Sequence, residues 1–332
     1  MAAAVVLFVI GLLLLIKCGD WFVDGAGGIA QKFHVPELLI GATVVSIGTT
    51  LPEVMVSATS AVSGHPQMAY GNALGSIICN TALIAALTIA IRPTVVARKS
   101  FLTPVLFFFA AAAVYAFSAY RYQSFSRPVG IILLIIFAAY MTVLILQAMK
   151  EMKAAKGASA EVKEEDAEKP RSVPVCILLL VIGAAGIAAG ADLLVNNGTI
   201  IATGLGVPEA VVALTFVALG TSLPELVTAI TALAKGHGAL SLGNIVGANL
   251  FNLVLVSGLS ITLKPFDVPA DMHIGGFISS LVVDVPVALL VMVVLTIPTL
   301  IRGKLSRFQG IALLASYAAF CVYQFVAPMF FK

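Results

Sequence analysis

Charge is scarce in this chain. Its 332 residues hold 19 Lys and Arg and 16 Asp and Glu, or 11%, less than half the roughly 25% usual in soluble domains. Twelve of these charges crowd into one segment, Lys150 to Arg171. The remainder is apolar enough to give the whole chain a mean hydropathy of +1.08. A soluble enzyme, a nucleic-acid binder and a disordered chain are all excluded. The net charge of +3 says little about partners, because in a membrane the distribution of charge matters more than its sum. Cysteine is also sparse: Cys18, Cys79, Cys176 and Cys321 lie in or beside apolar runs with no CxxC pair. That pattern suits neither a disulfide framework nor a zinc site. A cleavable leader is not expected. Ala2 to Ile16 is apolar, but it lacks a basic flank, and Gly19–Asp24 is not a small-residue cleavage site.

What the chain does contain is apolar runs, each near the roughly 20 residues that a spanning helix needs. Ten are predicted, at 2–23, 36–63, 66–91, 101–119, 128–148, 173–195, 208–234, 239–263, 274–299 and 308–328. The fold class is therefore an all-α membrane protein of ten transmembrane helices. The only linker, 149–172, is rich in Lys, Glu and Ala and is too short to be a domain. With both termini outside, 15 of the 19 Lys and Arg fall on the inner side, so the linker is expected to face the cytoplasm.

An internal repeat follows from a shift of 172 residues. It carries Pro36–Glu37 onto Pro208–Glu209 and Gly48-Thr49-Thr50-Leu51-Pro52-Glu53 onto Gly220-Thr221-Ser222-Leu223-Pro224-Glu225. With no gap it carries Gly64-His65 onto Gly236-His237, Gly71-Asn72 onto Gly243-Asn244, Gly75 onto Gly247 and Asn80 onto Asn252. The domains are a first five-span repeat at 1–148 (core 36–91) and a second at 173–332 (core 208–263). Five is odd, so the copies enter the membrane in opposite directions. Such inverted repeats mark alternating-access transporters, with the site near the bilayer midplane.

Glu53 and Glu225 stand deep inside the second and seventh runs. At ~1.5 Å per residue, Glu53 lies about 25 Å along a helix of about 42 Å that begins at Pro36. Pro52 and Pro224, with Gly48 and Gly220, predict kinks whose freed carbonyls need a partner, and a cation is a suitable one. Carboxylates, hydroxyls, amides and carbonyls are all oxygen donors, the set preferred by Ca2+ and Na+. The third and eighth runs add Asn72, Ser76 and Asn80, matched by Asn244, Ala248 and Asn252. An ionisable residue inside a span is a functional candidate by default; the bland alternative for each Glu is a cap on a half-helix beginning at Pro. Asn72 and Asn244 fit either the site or helix packing beside glycine. Asp284 has no counterpart, since Ala112 occupies the matching position, and it is expected to pair with a neighbouring helix or to handle a proton. Asp20 and Asp192 read as solvated caps at span ends, and His65 and His237 as turn residues.

GTTLPE at 48–53 and GTSLPE at 220–225, each followed by GN-x-x-G at 71–75 and 243–247, resemble the two alpha-repeats of the cation/calcium exchanger superfamily, in its sodium/calcium exchanger branch. The resemblance covers nearly the whole chain. It implies a calcium site of Glu53 and Glu225 with Thr49 and Thr221. It implies sodium sites that reuse both Glu and add Ser46, Thr50, Ser76 and Asn80, with Ala218 through its carbonyl, Ser222 and Asn252 from the other repeat. Two departures stand out: Ala248 where better-known members have Ser, and Asn252 where they often have Asp. Relatives with a large regulatory calcium-binding insertion carry it in the linker, and this chain has none.

The reading is a secondary transporter, not an enzyme, that exchanges Na+ for Ca2+ by alternating access with no cofactor. Its partners are the two ions and the lipid bilayer, with no nucleic acid, and one chain is expected to suffice as a monomer. A prokaryotic plasma (inner) membrane suits so short a chain. The alternative within transport is a proton- or potassium-coupled antiporter of Ca2+ or another divalent cation. A channel is disfavoured, because channels build acidic rings from several subunits.

Overall fold

The computed structural model describes residues 2–158, 172–205, 220–270 and 272–330. Helices are the only open-ended way to satisfy the backbone inside lipid, and the described residues form ten of them: α1 (Ala2–Phe33), α2 (Glu37–Val62), α3 (Pro66–Ile91), α4 (Arg98–Tyr122), α5 (Arg127–Ala158), α6 (Val173–Gly204), α7 (Leu223–Ala234), α8 (Gly238–Leu263), α9 (Ser280–Arg302) and α10 (Arg307–Phe330). Eight of these, all but α7 and α10, are long and apolar enough to cross a membrane. The twelve residues of α7 are equally apolar in character, and α10 runs for 24.

The repeat is written into the element boundaries. Under the 172-residue shift, both ends of α3 fall on both ends of α8, and Val62, the end of α2, falls on Ala234, the end of α7. The turns that follow also match. Gly64 (φ +87°) and Gly236 (φ +86°) take the left-handed conformation that closes a helix. The next N–H returns five residues, from His65 to Ser60 at 2.9 Å and from His237 to Ala232 at 2.8 Å. His65 and His237 are thus the turn residues that the sequence predicts. Both repeats also widen at the same place, where π-turns begin at Asn80 and at Asn252. Further π-turns occupy Gly41–Val45 and Ser280–Asp284. The fold is a multi-pass helical membrane protein of two five-helix repeats.

Two expectations change. Asp20 and Asp192 are not at helix ends, because α1 and α6 each run for 32 residues. Hydropathy falls where charge begins, whereas helical bonding continues beyond the apolar stretch. Residues 273–278 are not part of the ninth span. They form a hairpin in which β3 (His273–Ile274) pairs with β4 (Phe277–Ile278) across Gly275-Gly276, both at positive φ. A shorter pairing joins β1 (Ser124–Phe125) to β2 (Phe266–Asp267). Helical bonding in α2 runs on through Pro52, the position where the sequence predicts a kink. The residue whose carbonyl a proline ring would crowd is Gly48, four positions back, and one missing N–H does not end a helix. In the second copy the chain does leave the helix: Thr221 and Ser222 form a turn, and α7 starts with Pro224 in its first turn.

The helices cluster into two compact units, each drawing on both repeats. In the first, Met1–Thr49 with Met141–Asn244, α1 and α6 pack along their length through small residues. A Cβ added to Gly11 would stand 2.9 Å from the Gly190 carbonyl, and one on Gly183 would stand 2.7 Å from Cβ of Phe22. In the second, Thr50–Tyr140 with Ile245–Lys332, the Phe251 ring lies edge-on to Phe137 and Tyr140, and Gly130 of α5 meets the Gly258 carbonyl of α8.

Candidate cation site

Ser46, Thr49, Thr50 and Glu53 are spaced at i, i+3, i+4 and i+7, so they share one face of α2. All four are buried, Glu53 completely, and Ser57 continues the stripe. The opposite face carries Leu51 and Met55, exposed by 51% and 64%. A helix with its polar stripe inward and its apolar face outward inverts the pattern of a soluble protein and suits lipid. Because α2 runs on through Pro52, Glu53 is not a cap. Glu225 differs. It lies in the first turn of α7, fully buried, one turn after the buried Ser222. There the helix dipole favours a negative charge. Thr221 is half-buried in the preceding turn, and Ala218 lies outside the described residues.

Ser76, Asn80, Ala248 and Asn252 are all buried in α3 and α8. Both polar atoms of the Asn80 amide, and both of Asn252, lack a hydrogen-bond partner among the described residues. An unpartnered buried amide group costs about 1–3 kcal/mol, and here two occur at matched positions that also open a π-turn, a feature frequent at functional sites. The widened turn at Asn252 is tied by Ser257, whose hydroxyl donates to the Asn252 carbonyl at 3.0 Å. Ser46 does the same for Gly41 at 2.8 Å.

The two matched asparagines have diverged. Asn72 donates to the Ser57 hydroxyl at 2.8 Å and to the Glu53 carbonyl at 3.3 Å, bracing α3 against α2. Asn244 instead accepts, from Thr49 at 3.2 Å and from Ser46 at 3.3 Å on Oδ1 and 3.0 Å on its carbonyl. The structure thus brings Ser46 and Thr49 to Asn244, and Asn72 to the backbone of Glu53. Thr50, Glu53, Ser76, Asn80 and Asn252 belong to one compact unit, and Ser46, Thr49, Thr221, Ser222 and Glu225 to the other.

Other polar groups fall outside this set. Asn249 donates to Thr81 at 2.7 Å and to the Met292 sulfur at 3.2 Å, in a fully buried cluster. Repeat analysis misses it because Asn249 matches Ile77 and Thr81 matches Leu253. Asp284 pairs with a neighbouring helix, accepting from Gln324 at 3.1 Å. Asp192 accepts from Asn196 within α6 at 2.9 Å. Lys235 bridges Asp24 at 2.6 Å and Asp20 at 3.4 Å, and His237 Nδ1 lies 2.6 Å from Glu37. The buried hydroxyl, amide and carboxylate oxygens of the site residues are donors suited to a hard cation.

Known proteins are similar to this chain in sequence and in fold. An uncharacterized membrane protein of Methanocaldococcus jannaschii is 34% identical over 319 residues, 93% of this chain and 94% of its own length. The sodium/calcium exchanger MaX1 of Methanosarcina acetivorans is 29% identical over 354 residues, 96% and 97% of the two chains. The solved sodium-calcium exchanger NCX_Mj, soaked with Na+ and Sr2+, superposes with a TM-score of 0.77 at 32% identity, covering 96% of this chain and 97% of that one. The profile of the sodium/calcium exchanger proteins matches residues 3–146 and 175–326, nearly all of both repeats. With that match, and with its paired motifs on paired helices, the chain belongs to the sodium/calcium exchanger protein family.

Proposed function

We propose that this chain exchanges Na+ for Ca2+ by alternating access, with Glu53 and Glu225 as the carboxylates that both ions require. The observation that carries the reading is the pair of fully buried glutamates at matched positions of the two repeats, in α2 and α7. Burying a carboxylate charge away from water is unfavourable, whereas Ca2+ with two carboxylates is formally neutral. Thr49 and Thr221 complete the calcium ligands, and Ser46, Thr50, Ser76, Asn80, Ala218, Ser222 and Asn252 contribute to sodium. The unpartnered amides of Asn80 and Asn252 fit ligands whose oxygens a cation satisfies. Competition is the mechanism: sodium loading of the shared carboxylates displaces calcium.

Two glutamates give a fixed charge of −2, so one Ca2+ leaves zero and three Na+ leave +1. Three-for-one exchange is permitted on charge grounds, while Ala248 removes a hydroxyl from one sodium position. The proposed setting is a plasma (inner) membrane with both termini outside, the linker 149–172 cytoplasmic, and one chain as the working unit. The test is 45Ca2+ uptake into proteoliposomes loaded with Na+, K+ or choline, with and without Glu53→Gln. Sodium-dependent uptake lost in the variant is expected. Uptake indifferent to internal sodium but driven by a proton gradient would replace this reading with proton-coupled antiport.

A further inference from the structure

Four helical threonines of this protein turn their hydroxyls back onto their own helix. Thr43, Thr262, Thr296 and Thr299 each donate to the carbonyl four residues earlier, at 2.5–2.7 Å. Thr49 departs from this pattern: its hydroxyl donates across to Oδ1 of Asn244 at 3.2 Å. One turn earlier, the Ser46 hydroxyl has three acceptors in reach, the carbonyls of Gly41 at 2.8 Å and Asn244 at 3.0 Å and Oδ1 of Asn244 at 3.3 Å. Serine has a single proton to donate, so these acceptors share it in turn.

Asn244 is held where it meets these hydroxyls. It is fully buried. The start of α2 lies against α8 with backbone on backbone: a Cβ on Gly243 would overlap the Leu38 carbonyl, and one on Gly41 would overlap the Leu240 carbonyl and stand 2.8 Å from the Asn244 nitrogen. The backbone that carries Asn244 is therefore held close against α2.

We propose that Asn244 is a positioning residue for the ion-binding hydroxyls. Its Oδ1 takes the proton of Thr49, and in alternation with the Gly41 carbonyl that of Ser46, so that the lone pairs of both hydroxyl oxygens are left for the cation. This rests on the reading given under Proposed function, in which Thr49 and Ser46 are ligands. A hydroxyl binds a cation through a lone pair, so its proton needs an acceptor elsewhere. An amide oxygen supplies one without charge and at any pH, which leaves the fixed charge of the site to the glutamates. The matched residue in the other repeat is placed differently: Asn72 donates to the Ser57 hydroxyl and to the Glu53 carbonyl.

The test is a double-mutant cycle of Thr49→Val and Asn244→Ala in the full chain, reading the half-saturation for 45Ca2+ uptake at fixed internal Na+. Melting temperatures are followed in parallel, and Glu53→Gln is the reference. Loss of one buried hydrogen-bonded ligand corresponds to about a tenfold rise in half-saturation. Each single variant is expected to show that rise, and the double variant no more than the larger single, because Asn244 acts through Thr49. Asn244→Leu, of similar size and without an acceptor, gives the same result if the alanine variant fails to fold. Asn244→Asp, which keeps the acceptor, falls below Asn244→Ala. An unchanged half-saturation in Asn244→Ala with Glu53→Gln inactive, or additive penalties in the cycle, overturns the assignment alone. Sodium-driven saturable uptake that survives Glu53→Gln overturns the carboxylate reading and this assignment with it.

Discussion

At position 252 a permanently neutral amide stands where an acid is common among better-known relatives, and its two polar atoms have no hydrogen-bond partner among the described residues. Asn252→Asp changes one atom and adds a titratable charge. When protonated, the new carboxyl is neutral like the amide it replaces; when ionised, it makes the fixed charge −3. Relative to the parent chain at the same pH, the calcium half-saturation of Asn252→Asp is therefore expected to fall as pH rises through the titration of that carboxyl. Uptake measured across a pH series checks this, and a ratio independent of pH would separate position 252 from the ions. The sequence makes Asn252 visible because the repeat supplies Asn80 as its match. It gives no such cue for Asn249 and Thr81, which are joined only because α3 and α8 bring two unmatched positions together.

Between elements, the closest approach is carried by glycines. The contacts at Gly41 and Gly243 are with backbone carbonyls, which cannot swing aside as a side-chain tip can. Gly41→Ala and Gly243→Ala are each expected to destabilise the protein by about 1–3 kcal/mol, seen as a lower melting temperature in detergent, and to disturb the Ser46 and Thr49 contacts with Asn244. Wild-type melting in both would mean that the helices separate there at little cost. Spans three and eight were legible from hydropathy because both ends are marked by turns or charge. The hairpin at 273–278 was not legible, because His273-Ile274 and Phe277-Ile278 are apolar enough to merge with the span that follows. Only the Gly275-Gly276 pair hinted at it. The π-turns left no hydropathy signal at all, since one extra residue per turn does not alter composition.

For the whole molecule, odd-numbered repeats and the Lys and Arg bias predict a topology that can be measured. Single cysteines placed in 149–172 of a cysteine-free background are expected to react with an impermeant maleimide only from the cytoplasmic side. Cysteines near either terminus are expected to react only from outside. Reaction of the linker from outside would reverse the orientation. The ion pairs of Lys235 with Asp20 and Asp24 lie at the end of α7 on a partly exposed surface. Such pairs are worth about 0–1 kcal/mol, so they contribute little to holding the fold.

The sequence by itself determined the class of protein, the number of spans, the duplication and the identity of the buried acids. Those properties reside in composition, length and register, which need no knowledge of what touches what. Tertiary structure alone decided how matched residues are used. Asn72 and Asn244 are the same residue in the same register, yet one donates and the other accepts, because each meets a different stretch of α2. Pro52 and Pro224 sit in near-identical motifs, yet one lies within a continuous helix and the other in the first turn of a new one. Hydrogen-bond direction and helix continuity depend on the neighbours that packing supplies, and a duplicated sequence does not encode which neighbours those are.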